Sequence, residues 1–248
     1  MKNALRNFMD KIKPHFEKGG KFEKLHSVYD GFETFLFVPN TTAPKYGSHI
    51  HDPNDTKRTM ITVVIALIPA LLFGMYNTGY QHYLAIGVNA NFWITFLFGF
   101  LAVLPYIIVS YVVGLGIEFT VAQIKGEEIQ EGFLVTGFLI PLILPINTPL
   151  WMVAIATAFA VIFAKEVFGG TGMNIFNVAL VTRAFLFFAY PTHMTGDSVW
   201  VRTGSALGFG GGKAIDAFSG ATPLGQIATS TNSLPHITDT FGNTLSFW

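Results

Sequence analysis

The fold is decided by one apolar stretch, residues 92–121, which reads FWITFLFGFLAVLPYIIVSYVVGLGIEFTV. Its only charged side chain is Glu118, close to the C-terminal end. A helix needs about 20 mainly apolar residues to cross the hydrocarbon core of a bilayer. The stretch is therefore predicted to form one tilted transmembrane helix, with a kink at Pro105.

Four further apolar runs predict four more transmembrane helices. They cover residues 59–76, 132–150, 151–168 and 175–191. Pro145 and Pro149 lie where the third and fourth helices meet, and they predict a tight turn between them. We therefore expect an all-α integral membrane protein with about five transmembrane helices.

The composition supports this fold class. Of the 248 residues, 51% are hydrophobic and 12% are charged, and the mean hydropathy is +0.47. Soluble domains have about 25% charged residues, so much of this surface is expected to face lipid. Zero net charge argues against a nucleic-acid partner. The absence of cysteine from these residues excludes disulfides, thiolate-held iron–sulfur clusters and thiol catalysis within them.

The charges are unevenly distributed, and this predicts an orientation. Residues 1–58 hold ten of the 15 lysines and arginines, so the positive-inside rule places them in the cytoplasm. They have no early apolar core of the kind found in a signal peptide, and residues 3–16 are predicted to form a short amphipathic helix. Five spans, within residues 59–191, place residues 192–248 on the exterior side. That tail is rich in Gly, Ser and Thr and is predicted to be loop.

One motif in the tail is a candidate for chemistry, residues 216–222, which read DAFSGAT. Small residues before a hydroxyl give an accessible backbone at which another enzyme can modify Thr222. On the chemistry of the residues alone, an ordinary loop is the simpler interpretation.

The pattern D-x-x-S-G-A-T consists of Asp216, Ser219, Gly220, Ala221 and Thr222. It resembles the flavin-attachment motif in the B and C subunits of the sodium-pumping NADH:quinone oxidoreductase and in the related Rnf electron-transport complex. In that family a flavin transferase joins the phosphate of FMN to the threonine of the motif. The resemblance implies a covalent FMN on Thr222 and a periplasmic location for this loop of a bacterial inner-membrane protein.

The resemblance to the family's B subunits extends along the chain. It includes KEVFGGTG at residues 165–172, RAFLFFAYP at 183–191, and HFE followed by GGK in the lead at 15–21. The long lead distinguishes the chain from the Rnf counterpart. Val178 stands where the family usually has proline, and Met173 where it has a basic residue. Family members continue into a second, inverted set of spans, so we expect this chain to be the N-terminal portion of a longer protein.

Three residues are candidates for the ion and quinone pathways. A carboxylate near the end of an apolar run is costly, so Glu118 is a functional candidate by default, although solvation at the membrane boundary explains it equally well. The resemblance implies a role for Glu118 in sodium uptake and a place for Asp30 near the same path. It also matches Gly114 to a glycine of the quinone pocket, with Leu115 replacing a second glycine.

Asn174 and Asn177 follow a glycine-rich stretch at the start of the fifth run. They are suited either to helix capping or to contact with the polar edge of a flavin, and the resemblance implies a non-covalent riboflavin nearby. Arg183 lies within the fifth run and must find an anionic or carbonyl partner. We expect a structural ion pair, and contact with flavin or quinone is the alternative. His49 and His51 lack carboxylate or cysteine support, so we assign no metal site.

The resemblance implies one component of a six-subunit, redox-driven sodium pump. It would relay electrons from NADH through FMN and riboflavin to quinone while sodium is exported. No dinucleotide-binding fingerprint occurs in the chain, so NADH oxidation requires a separate flavoprotein partner. Two alternatives remain open: an Rnf-type electron-transport protein, and a non-redox transporter with proline-broken helices.

Overall fold

The computed structural model describes residues 2–16, 20, 22, 26, 29, 46–47, 56–126, 132–196 and 198–214. In the described residues there are six α-helices and no β-strand. In chain order they are α1 Lys2–Ile12, α2 Thr56–Ala85, α3 Phe92–Lys125, α4 Phe133–Ile143, α5 Leu150–Ala164 and α6 Val178–Ala189. The prediction of an all-α membrane protein is confirmed.

The amphipathic helix predicted near the N-terminus is present as α1. It ends in a 3₁₀ turn, Lys13–His15, because Pro14 cannot continue the α-helical hydrogen bonding. The ring of Phe16 stacks on Phe22 and Tyr29, and the Tyr29 hydroxyl donates to the carbonyl of Met9 at 2.9 Å. The chain after α1 is thus tied back to it by an aromatic cluster.

Helices α2 and α3 form an antiparallel hairpin whose axes approach closely at two glycines. A Cβ added at Gly99 would lie 1.7 Å from the carbonyl oxygen of Met75, and one at Gly79 would lie 1.9 Å from that of Thr95. Small residues allow helix backbones to approach in this way within membranes. The contact packs the last turns of α2 against α3, and α2 stays helical to Ala85, beyond residue 76, where the first transmembrane helix was predicted to end.

Helices α4 and α5 are joined by the proline-rich turn that the sequence predicts. Leu144 precedes Pro145 and is extended, with φ −97° and ψ 146°, which ends α4. Pro149 immediately precedes α5. The Tyr106 hydroxyl of α3 lies 2.6 Å from the carbonyl oxygens of Ile146 and Thr148, so the turn is fixed to the neighbouring helix.

The apolar helices differ in length. By length and composition, Thr59–Ala85, Phe92–Lys125 and Leu150–Phe168 are long enough to cross a membrane, whereas α4 and α6 are shorter apolar helices. At 1.5 Å per residue, the 11 residues of α4 and the 12 of α6 span only about 16–18 Å. The prolines after α4, and the glycines before α6, account for these short lengths.

The main core lies between α3, α4, α5 and α6. Its fully buried members include Phe133, Val153, Val161 and Leu186. Because successive helices run in opposite directions, the α4–α5 turn faces the same side of the bundle as the α2–α3 turn, but it lies beside Tyr106, near the middle of α3. The backbone N–H of Asn147 donates to the carbonyl of Val199 at 3.3 Å, so the segment after α6 packs over the α4–α5 turn.

Candidate functional site

The most unusual polar feature of the bundle is a buried ion pair between Glu118 and Lys165. The Lys165 ammonium donates to Oε1 of Glu118, and the two side chains are only 6% and 5% exposed for Lys165 and Glu118, respectively. Solvation at the membrane boundary therefore does not explain Glu118. The other carboxylate oxygen, Oε2, is buried and makes no hydrogen bond to any residue that the structure describes.

The pair is built from the C-terminal ends of two helices. Glu118 lies two turns before the end of α3, and Lys165 is the residue that caps α5. A cation is favoured at a helix C-terminus because the last carbonyl groups are unpaired and carry partial negative charge. Lys165 is a functional candidate that the sequence did not reveal, although its position directly after an apolar run was a usable signal.

A sharp turn follows Lys165 and holds it in place. The Lys165 carbonyl accepts hydrogen bonds from the N–H groups of Phe168 and Gly170, both at 3.1 Å. Gly169 and Gly170 have φ values of 109° and 93°, which non-glycine residues rarely adopt. The glycine-rich stretch thus forms a structural turn, and an outer pair, Lys125 with Glu166 at 3.5 Å, lies beside it.

Gly114 lies one turn before Glu118 and is covered by an aromatic ring. A Cβ added at Gly114 would lie 1.8 Å from Cζ of Phe133, a side chain that is 1% exposed. Phe133 also packs edge-on against Tyr111, whose hydroxyl donates to the carbonyl of Leu134 at 2.6 Å. In this structure the space above Gly114 is filled by Phe133.

Asn174 and Asn177 both make local hydrogen bonds. The Asn177 side-chain oxygen accepts from the N–H groups of Ala179 and Leu180 at 3.0 and 3.2 Å, so it caps α6. Asn174 accepts from the N–H of Gly172 and donates to the carbonyl of Phe176. The capping interpretation is observed directly. A flavin would have to bind the Nδ2 group of Asn177, next to the exposed apolar side chains of Ile175 and Phe176.

Arg183 binds a carbonyl group, one of the two kinds of partner expected for it, and it forms no ion pair within the part of the chain that the structure describes. Its Nη1 donates to the carbonyl of Ile143 at 2.6 Å, and its guanidinium lies 5.9 Å from the ring centroid of Trp200. Ile143 is the last residue of α4, where the helix leaves a carbonyl without an internal partner. Arg183 thereby joins α4, α6 and the segment after α6.

Another buried polar residue, His82, lies at the opposite end of the bundle from Glu118. Its Nδ1 lies 2.6 Å from the carbonyl of Arg202, and because a carbonyl only accepts, Nδ1 carries the proton. The imidazole stacks on Phe98 with ring centroids 3.7 Å apart. A Cβ added at Gly210 would lie 2.8 Å from Phe98. His82 thus holds the start of the tail against α2 and α3.

Several predicted site residues lie outside the described residues. They are Asp30, Asp216, Ser219, Gly220, Ala221 and Thr222. His49 and His51 also lie outside the described residues. The structure brings Gly114 and Glu118 together on α3, and it adds Lys165 to them.

Comparison with known proteins identifies the family. Residues 44–247 match the model of the NQR2, RnfD, RnfE family. The chain belongs to this family. A protein of Stutzerimonas stutzeri, named as the B subunit of a Na(+)-translocating NADH-quinone reductase, is 43% identical over 89% of this chain. Proteins of the same name from Ectopseudomonas mendocina and Azotobacter vinelandii are 42% and 41% identical, each over 91% of the chain.

The match covers most of this chain but only part of each relative. The chain spans 57% of the Stutzerimonas protein, 59% of the Ectopseudomonas protein and 58% of the Azotobacter protein.

Proposed function

We propose that this chain is part of a membrane subunit of a sodium-translocating NADH:quinone reductase. The observation that carries the proposal is the 43% identity, over 89% of the chain, to a protein named as the B subunit of that enzyme. The relatives' shared name favours this function over the Rnf-type alternative and over a non-redox transporter. The partners would be the other subunits of a six-subunit pump, including the flavoprotein that oxidises NADH, and quinone.

Thr222 is the proposed attachment site of FMN, through a phosphoester made by a flavin transferase. The support is the complete D-x-x-S-G-A-T pattern from Asp216 to Thr222, in a tail rich in small residues. When bound, FMN supplies reversible electron transfer, and the protein supplies its position and environment. The described residues leading to the motif, 198–214, lie at the end of the bundle opposite the Glu118–Lys165 pair.

A non-covalent riboflavin is proposed near Asn174 and Asn177. The structure supports this proposal in two ways: the oxygen of Asn177 is engaged in capping, which leaves its Nδ2 group as the donor for a ligand, and the side chains of Asn177 and Ile175 are both exposed. In this proposal Asn177 orients the polar edge of the ring, and the apolar side chains exclude water from its face. Gly114 remains the proposed quinone-side residue, acting through the Phe133 ring that covers it.

The proposed sodium path passes Glu118 on α3, with Asp30 near its cytoplasmic mouth. Glu118 is suited to bind a cation because it is buried and has one carboxylate oxygen without a hydrogen bond to the described residues. An ionisable side chain inside a membrane protein commonly marks an ion pathway.

The proposed orientation places residues 1–58 in the cytoplasm and residues 192–248 in the periplasm, on either side of a transmembrane domain at 59–191. The absence of cysteine from these 248 residues makes a direct test possible. In cells, a membrane-impermeant thiol reagent should label Leu207→Cys, which is exposed, and should not label Lys11→Cys. The reverse labelling pattern would overturn the orientation.

The flavin proposal is tested by in-gel fluorescence of the denatured full-length protein, produced together with its flavin transferase. The protein should give a fluorescent band, Thr222→Val should be dark, and Thr229→Val, a threonine outside the motif, should stay fluorescent. A dark band for the unsubstituted protein would overturn the redox function. A band that persists in Thr222→Val would overturn the attachment site. Sodium-stimulated quinone reduction in membranes separates the proposed function from the Rnf-type alternative.

A further inference from the structure

The Glu118–Lys165 pair poses a problem for sodium movement, because the carboxylate already has a cation. The Lys165 ammonium occupies Oε1 of Glu118, and both side chains are almost completely closed to solvent. Sodium that binds both oxygens of this carboxylate has to displace the ammonium. Sodium that binds only Oε2 shares the carboxylate with a second positive charge.

A permanent counter-ion also solves a problem. A buried carboxylate without a partner carries a large desolvation penalty, so it holds any cation that reaches it tightly. Transport requires binding that is favourable enough for the ion to arrive and weak enough for it to leave. An ammonium that returns to Glu118 when sodium leaves would lower the net cost of release.

The surroundings allow Lys165 to serve this purpose. It follows the last turn of α5, where the unpaired helix carbonyls stabilise a positive charge, so the ammonium has a second favourable interaction when it leaves Glu118. Its backbone is fixed by the turn through Gly169 and Gly170, so only the flexible side chain has to move.

We infer that Lys165 is a tethered cation that competes with sodium for Glu118 and thereby sets the sodium affinity of the path. The inference rests on the proposed function, since it requires Glu118 to lie on the sodium path. Lys165 is a positioning residue in this scheme: it acts on the ion only through Glu118.

The test measures the sodium concentration that gives half-maximal quinone reduction by the complete complex carrying full-length variants of this protein. Lys165→Gln should lower that concentration by about fivefold or more, the lower end of typical couplings between linked binding events. Lys165→Arg should raise it, because a guanidinium binds a carboxylate through two parallel hydrogen bonds and is harder to displace. Lys125→Gln, which removes the same charge from the outer pair, should leave it unchanged.

A double variant separates competition from a merely structural role. If Lys165 acts through Glu118, Lys165→Gln should have no further effect on the sodium requirement when Glu118→Gln is already present. The double variant also replaces both charges with neutral amides, so it keeps the test valid if Lys165→Gln alone fails to assemble. An additional shift in the double variant, or a Lys165→Arg complex with an unchanged sodium requirement, would overturn the inference.

The outcomes also distinguish this inference from the proposed function. If quinone reduction by the unsubstituted complex does not depend on the sodium concentration, the proposed function would be overturned. A sodium requirement unaffected by Glu118→Gln would remove Glu118 from the path and the inference with it. A third outcome is that Glu118→Gln changes the sodium requirement, whereas Lys165→Gln and Lys125→Gln give the same value. That outcome would overturn the inference and leave the proposed function standing.

Discussion

A Cβ added at Gly114 would lie 1.8 Å from Cζ of the buried Phe133 ring, so only glycine fits beneath that ring. Gly114→Ala should destabilise the protein by about 1–3 kcal/mol, the usual cost of overpacking a filled core. Gly116→Ala is the matched control on the same helix, since nothing lies within 4 Å of its added Cβ. Thermal unfolding of the purified full-length variants in detergent measures both effects.

The same substitution tests the proposed quinone role of Gly114. Phe133→Leu should relieve the clash, so the Gly114→Ala/Phe133→Leu variant should regain stability relative to Gly114→Ala alone. If Gly114 acts only in packing, quinone reduction should recover together with stability. A double variant that is stable but needs a higher quinone concentration would support a place for Gly114 and Phe133 near the quinone.

The crossing of α2 and α3 depends on Gly99, which faces the carbonyl oxygen of Met75. An added Cβ would lie 1.7 Å from that oxygen, and backbone cannot move aside as a side chain can. Gly99→Ala should therefore cost at least about 1–3 kcal/mol of stability. Gly74→Ala, on α2 with open space around it, should be neutral or slightly stabilising. Equal unfolding temperatures for the two variants would show that the helices do not cross at Gly99.

The sequence predicts those parts of the fold that depend on residues close together in the chain. The unbroken apolar run of α3 and the prolines of the α4–α5 turn act within a few residues, and both predictions are confirmed. The predicted end of the first transmembrane helix, at residue 76, was wrong because the last residues of α2, which include Gln81 and His82, are polar enough to resemble a loop. They remain helical because Gly79 packs against α3, a contact between distant parts of the chain.

The contacts of the candidate site also divide into local ones and ones between distant parts of the chain. Two contacts could be predicted from the sequence: the helix cap at Asn177 and a carbonyl partner for Arg183. Capping is local, and a buried guanidinium needs an acceptor. The partner of Glu118 could not be predicted, because Lys165 is 47 residues away and the pairing depends on how α3 packs against α5. The same holds for the contact between His82 and the carbonyl of Arg202, 120 residues apart.

His82 should control how firmly the start of the tail is held. His82→Phe preserves the stack on Phe98 but removes the hydrogen bond to the Arg202 carbonyl, which is worth roughly 0.5–1.5 kcal/mol. If this segment opens before it is cleaved, trypsin should cut after Arg202 up to roughly tenfold faster. Tyr80→Phe, a change on an exposed ring of the same helix, is the control. Unchanged cleavage of His82→Phe would show that other contacts hold the segment.

Asn177 offers a test that separates capping from flavin binding, because its oxygen and its nitrogen would serve different partners. The oxygen accepts from the N–H groups of Ala179 and Leu180, and Asn177→Ala should cost about 0.5–2 kcal/mol by leaving α6 uncapped. Asn177→Ser retains a side-chain acceptor and should keep most of that stability, but it lacks the amide nitrogen. If the nitrogen contacts riboflavin, the complex carrying Asn177→Ser should be stable yet retain less non-covalent flavin after purification. Full flavin content in Asn177→Ser, with a loss confined to the unstable Asn177→Ala, would mean that Asn177 contributes only the cap.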